Sequence, residues 1–393
     1  IYMRTENLMK REMATLTLMI AALISGSAVL RAGSNGNPEY IPASVYGTDG
    51  RQDYFEADRM MKKFAESTVA MFADTALPKD EATGRYKLKG LTLQGKYNLQ
   101  NGERYGDQPV GAFCSGVLVG PDTVLTAGHC FQPDERGGPC ARVKMVFGYA
   151  VTARGEKPSS FPAENVYTCR QVLVQKVQDE EHNFTCRNGA CNNAAPVGLG
   201  ADYALVKLDR PVAGRYPLAV SREKTGRMTQ LAAIGYPSGL PVKVATEGTI
   251  RSISKNGYFV ADLDTFGGNS GSPVFNTQTM KIEGILVRGG GDYAYGSGDA
   301  AVTDPQNPYL QAPGKTQVYG QNEGRGEDVT MISEVQAMIP QTELETSLDA
   351  MRGQQQAPAK AVPAVYNPGD GGMQVEPAVY TVPDVPTPVS ISI

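Results

Sequence analysis

A long succession of short apolar runs, each cut off by turn residues, constrains this chain more than any other feature. Runs at 67–73, 113–119, 123–127, 142–149, 165–177, 203–208, 229–234, 242–253, 258–263 and 281–287 have strand character. Little helical spacing separates them, and Gly120-Pro121-Asp122 between two of them reads as the turn of a hairpin. Strand following strand points to an all-β sandwich or barrel built from Greek keys. The exceptions are few. Residues 54–66 carry Phe55, Met60, Met61 and Phe64 at helical spacing, and 329–339 place Ile332, Val335 and Ile339 on one stripe. Pro340 ends that second helix, and 341–352 can add another. Residues 77–85 read as a loop, 87–99 as a long strand or hairpin, and 290–326 as an extended surface loop.

The two ends differ from the middle. Met9-Lys10-Arg11 followed by an apolar, almost uncharged stretch at 14–30 has the pattern of an export signal over 1–32. At about 17 residues it is at the lower limit of a membrane span, so cleavage after Ala28 or Ala32 is the better reading. Residues 1–8 then precede a start at Met9, and 33–44 form a leader before a main domain at 45–340. From 341 to 393 the chain becomes rich in Pro, Val and Ala without periodicity, the composition of a disordered tail. No membrane association is expected after signal cleavage. The formal net charge of −4 offers no basic surface for nucleic acid.

Six cysteines, Cys114, Cys130, Cys140, Cys169, Cys186 and Cys191, agree with an oxidising destination, secreted or periplasmic. Cys114 begins one strand and Cys130 follows a histidine at the end of the next. Cys186 and Cys191 flank an Asn-Gly loop that a bridge could close, which leaves Cys140 with Cys169 by elimination. The last two pairings stay open at this point. With only His129 and His182 in the chain and no CxxC pair, neither a metal site nor a cofactor is expected.

Chemistry concentrates in TFGGNSGSPVFN at 265–276. Glycines around Ser270 can turn backbone N–H groups toward a ligand, but a serine hydroxyl is a poor nucleophile without a base. A bare Gly/Ser turn is the alternative if no base exists. His182 lies in the charged context EEHNFTC and reads as a solvated surface residue, whereas His129 closes an apolar segment ending TAGHC. A carboxylate must hold the imidazole in one tautomer and stabilise its cation. Asp202 opens ADYALVKLD; Asp209, at the far end, is the alternative and fits better as a turn cap before Pro211.

TAGHC, DYALVKL and GNSGSPVFN, in that order, resemble the three motifs of chymotrypsin-fold serine peptidases. The GNSGSP form, the turn IGYPS and the early stretch VYGTDGRQD are most similar to the bacterial glutamyl endopeptidase branch. The resemblance covers roughly residues 45–339. It implies two six-stranded antiparallel Greek-key barrels with a site between them, and a C-terminal helix. It implies His129 as base and acid, Asp202 as its orienter, Ser270 as nucleophile, and the N–H groups of Gly268 and Ser270 as oxyanion hole. It also implies a Cys114–Cys130 bridge beside the histidine, and a specificity pocket from Asp264, Thr265, Leu286 and Arg288.

Two positions depart from the family. Asn269 stands where trypsin-like members carry an aspartate that pairs with a new amino terminus. The strand after the serine loop, Gly284-Ile285-Leu286-Val287-Arg288, lacks the histidine of the glutamyl branch. The resulting expectation is a secreted serine endopeptidase acting on proteins or peptides, leaning to cleavage after Lys or Arg. Glutamyl specificity, a non-catalytic binding module and a surface tether through the tail are the alternatives. The sequence is silent on oligomeric state.

Overall fold

The computed structural model describes residues 44–132, 139–227, 229–295 and 313–356, so the expected export signal, most of the leader and most of the tail lie outside the described residues. The chain divides into two units, residues 1–350 and 351–393, and both the strands and the site belong to the first.

Helix α1, Arg59–Glu66, starts at Asp58, whose carboxylate accepts the Met60 and Met61 N–H groups at 2.7 and 2.9 Å. It buries Met61, Phe64 and Ala65. The barrel strands, numbered in chain order, begin with β1 (Thr68–Ala73), β2 (Cys114–Gly120), β3 (Thr123–Thr126), β4 (Val143–Phe147), β5 (Val166–Gln178) and β6 (Tyr203–Leu208). Antiparallel pairing runs β1-β4-β5-β6-β3-β2 and returns to β1, which closes a barrel. The second set is β7 (Gln230–Gly235), β8 (Lys243–Ile253), β9 (Tyr258–Ala261), β10 (Pro273–Asn276), β11 (Lys281–Arg288) and β12 (Glu327–Met331). Its order, β7-β10-β11-β12-β9-β8 and back to β7, repeats the first strand for strand. The expectation of two six-stranded antiparallel barrels therefore holds, and closure leaves neither barrel with a free edge.

Strands such as β2 and β11 are buried along almost their whole length because one face fills the barrel and the other meets neighbouring structure. That is why they read as continuous apolar runs rather than alternating ones. Leu231, Phe259, Val274, Leu286 and Val329 fill the second barrel. Phe64 of α1 stacks on Phe275 of β10 with ring centroids 4.8 Å apart, tying the helix to that barrel.

Helical spacing at 329–339 misleads. Val329 lies in β12, paired with Leu286 on one side and Phe259 on the other, because the second barrel needs a closing strand there. After Met331 come two single 3-10 turns, Ile332–Glu334 and Gln336–Met338. Three residues per turn puts Ile332 and Val335 on one side much as an α-helix would. The C-terminal helix is α3, Glu343–Gln356, with α2, Leu93–Tyr97, standing where 87–99 reads as extended. α2 forms there because Thr92 Oγ1 caps it, accepting the Gly95 N–H at 3.2 Å. Among the described residues no helix is long and apolar enough to cross a membrane.

Candidate active site

His129 sits in a single 3-10 turn, Gly128–Phe131, directly after β3. Asp202, just before β6, faces it. The carboxylate accepts three N–H groups from this turn: Gly128 at 2.5 Å, His129 backbone at 3.1 Å and the His129 ring Nδ1 at 2.7 Å. Nδ1 therefore carries the proton toward Asp202 and leaves Nε2 as the basic nitrogen. Asp202 is 3% exposed, so water does not compete for it. Its own backbone is held from the other barrel, where Thr330 Oγ1 of β12 accepts the Asp202 N–H and donates to its carbonyl, both at 3.0 Å.

Ser270 lies in the turn before β10. Ser115 of β2 fixes that turn to the first barrel: its N–H donates to the Ser270 carbonyl at 2.8 Å and its hydroxyl to the Gly268 carbonyl at 2.8 Å. The Cys114–Cys130 disulfide brackets this contact, and Cys130 Sγ lies 3.7 Å from the Ser270 carbonyl oxygen. Gly271 packs against Thr126 and Ala127, where an added Cβ would fall 2.2 Å from Thr126 Oγ1. The serine turn and the histidine turn are thus neighbours across the two barrels.

Gly268 has φ +93°, and a Cβ there would meet the Tyr236 carbonyl at 2.6 Å, so only glycine fits. Among the described residues neither the Gly268 nor the Ser270 N–H has an acceptor, while those of Asn269, Gly271 and Ser272 are all engaged. Two unengaged donors in the turn that carries the serine hydroxyl, one on either side of Asn269, can hold a developing negative charge if both face it. Asn269 is buried and accepts from Ser272 Oγ at 3.1 Å, bracing the turn from below.

The four residues expected around a specificity pocket are scattered among separate partners. Asp264 accepts the backbone N–H groups of Tyr46 at 2.9 Å and Gly50 at 2.7 Å, so its carboxylate ties down the start of the domain. Burial pushes it up to about 6. Arg288 pairs with Asp328 at 2.9 Å and donates to the Gly200 carbonyl at 2.7 Å. Leu286 belongs to the second barrel's core. Thr265 Oγ1 donates at 2.9 Å to Glu327, a residue that nothing in the sequence singles out. Its place behind a glycine at a strand's start carries no sign that it will be buried.

The remaining candidates separate cleanly. His182 pairs with Asp179 at 3.1 Å in the turn between β5 and the strand Asn183–Arg187 that pairs with it. Asp209 accepts the Thr168 N–H at 2.9 Å and pairs with Arg210, a structural cap. The disulfides are Cys114–Cys130, Cys140–Cys169 and Cys186–Cys191. Cys114, His129 and Cys130 are the one metal-like cluster among the described residues, and the disulfide removes both thiolates that would bind an ion.

Residues 114–285 match the profile of the trypsin-like peptidase domain. A glutamyl endopeptidase of Bacillus licheniformis is 26% identical over 172 residues, 43% of this chain and 46% of the relative, so the match spans about half of that protein. Among solved structures, the VesB protease of Vibrio cholerae aligns over 74% of this chain and 66% of its own at 15% identity and a TM-score of 0.41. Human heparin binding protein aligns over 79% and 98% at 15% identity and a TM-score of 0.37.

Proposed function

We propose that this chain, a trypsin-like serine peptidase by the match over residues 114–285, is a secreted or periplasmic endopeptidase that cuts peptide bonds through an acyl-enzyme. The observation that carries the reading is the 2.7 Å contact of His129 Nδ1 with buried Asp202, in a turn whose next residue touches the Ser270 carbonyl.

In this mechanism His129 Nε2 takes the Ser270 hydroxyl proton as the oxygen attacks the scissile carbonyl. The carbonyl oxygen gains negative charge facing the N–H groups of Gly268 and Ser270. His129 then gives the proton to the leaving amine, and a water molecule repeats the sequence on the ester to release the acid. Asp202 keeps Nδ1 protonated and stabilises the imidazolium without taking its proton. No cofactor enters.

Export fits the three disulfides, with residues 1–32 as signal, 33–44 as leader, 45–340 as the peptidase and 341–393 as a tail. Cleavage after Lys or Arg is the preferred specificity, since Leu286 stands in the strand segment where the glutamyl branch carries histidine. Glutamyl specificity is the second reading, favoured by the name of the Bacillus relative.

Labelling with a fluorophosphonate probe tests the activity. The wild-type protein is expected to be modified at Ser270 and to hydrolyse peptides, and Ser270→Ala is expected to do neither while unfolding at an unchanged denaturant midpoint. Peptide hydrolysis retained in Ser270→Ala overturns the assignment.

A further inference from the structure

We propose that Glu327 is the specificity-determining residue of this peptidase, offering its carboxyl group as counter-charge to a lysine or arginine side chain of the substrate. The inference rests on the peptidase reading above and replaces Asp264 as the acid of the pocket.

The position of the carboxyl group is the first argument. On one side Glu327 Oε2 accepts from Thr265 Oγ1 at 2.9 Å, and Thr265 lies on the loop that leads to Ser270. On the other side runs the chain that leaves β11. That strand is bound to the serine turn, with the Gly271 N–H on the Leu286 carbonyl at 2.7 Å and the Leu286 N–H on the Ser272 carbonyl at 3.0 Å. Beyond Arg288 it passes directly over the acid: a Cβ at Gly289 would fall 1.9 Å from Glu327 Oε2, and the Gly290 N–H donates to the carboxylate. Glu327 therefore lies between the two segments that border Ser270 at its sequence neighbours. In this proposal the substrate side chain that precedes the bond to be cut enters between those segments. Its lid is Gly289-Gly290-Gly291, which carries no side chain to displace.

The second argument is charge. Glu327 is 2% exposed, and Tyr46, whose hydroxyl donates to Oε1 at 3.2 Å, supplies no cation. Asp292 nearby accepts the Ser44 hydroxyl and the Gly267 N–H, both at 2.9 Å. Among the described residues Glu327, Asp292 and Asp264 form no ion pair. Desolvation raises all three carboxyls, Glu327 to about 8. A carboxyl group kept partly neutral by burial without a paired cation becomes a strong discriminator once a cation arrives, because an uncharged or acidic side chain leaves it unmatched. Asp264 is the poorer candidate, since both its oxygens hold fixed backbone N–H groups, at Tyr46 and Gly50, whereas two of the donors to Glu327 are side-chain hydroxyls that can turn to another acceptor.

The test compares kcat/KM for peptides identical except for Arg, Gln or Glu at the cleaved residue, in the wild type, Glu327→Gln and Asp264→Asn. Wild type is expected to prefer Arg over Gln by about 100-fold or more, Glu327→Gln to collapse that ratio, and Asp264→Asn to keep it. Benzamidine protection of the wild type against fluorophosphonate labelling gives a second measurement that needs no variant to fold, and protection is expected. A ratio indifferent to Glu327→Gln, a wild-type preference for Glu, or absence of protection in labelled protein overturns this inference alone. A wild-type protein that is not labelled at Ser270 overturns the peptidase reading and this inference with it.

Discussion

At Gly268 the backbone admits one residue type, because positive φ and the Tyr236 carbonyl at 2.6 Å both exclude a Cβ. Gly268→Ala is expected to twist its N–H away from the oxyanion and lower kcat by about 10²–10³-fold, with KM much less affected. Single-turnover kinetics check it. Glu327 supplies a stability prediction with a definite sign. Burial holds its carboxyl at about 8 against an ordinary 4.5, over the lowering effect of its donors Thr265, Gly290 and Tyr46, and the charge of Asp292 adds a smaller push in the same direction as burial. Between those values the folded chain keeps a proton that the unfolded chain releases, so this contribution is complete below 4.5 and lost as pH rises toward 8. Asp264, at about 6 against 3.8, acts the same way over a lower interval. The wild-type urea midpoint should therefore fall from pH 5 to 8 relative to that of Glu327→Gln. Parallel curves for the two proteins would refute the burial of an ionisable carboxyl there.

Among the elements, β2 does the most positioning. Its first residue is bonded to the histidine turn through Cys114–Cys130, and its second holds the serine turn through Ser115. A bridge closing a loop of 16 residues stabilises by about 3 kcal/mol in the chain-entropy model. Cys114→Ser should accordingly lose about 2–4 kcal/mol of stability. Peptide hydrolysis should disappear at lower denaturant than tryptic resistance of the barrels, since the histidine turn loosens first. Activity and global unfolding that coincide in the variant would remove this local role. β12 shows how an element escapes sequence reading. The apolar spacing around Val329, Ile332 and Val335 satisfies a helix, a strand end or successive 3-10 turns alike. Pairing with β9 and β11 decided among them.

At the scale of the molecule, the site is assembled from two barrels with the same strand order, and neither holds it alone. His129 and Asp202 come from the first, while Ser270, Gly268 and the Thr330 clamp on Asp202 come from the second. Thr330→Val keeps the shape of that clamp and removes both hydrogen bonds across the junction. It should cost roughly 1–3 kcal/mol for the buried Asp202 groups left unmade. It should also lower kcat more than it changes KM, because Asp202 would hold His129 less firmly. An unaltered kcat would show that the first barrel orients Asp202 unaided.

The sequence by itself determined the strand-dominated architecture and singled out His129, Asp202 and Ser270 as the candidate catalytic residues. Each lies in a short stretch whose turn chemistry and flanking strand are local, and a chain with two histidines leaves few combinations. Local order also made Cys114 with Cys130 readable. What the tertiary structure decided was the state of each carboxyl group. Asp264, Asp292 and Glu327 look alike in the chain, yet their partners lie at Tyr46, Ser44 and Thr265, tens to hundreds of residues away. Closing the second barrel brings Thr265, Gly289 and Glu327 together and removes water from between them. Burial of a charge depends on that closure, and no window of neighbouring residues contains it.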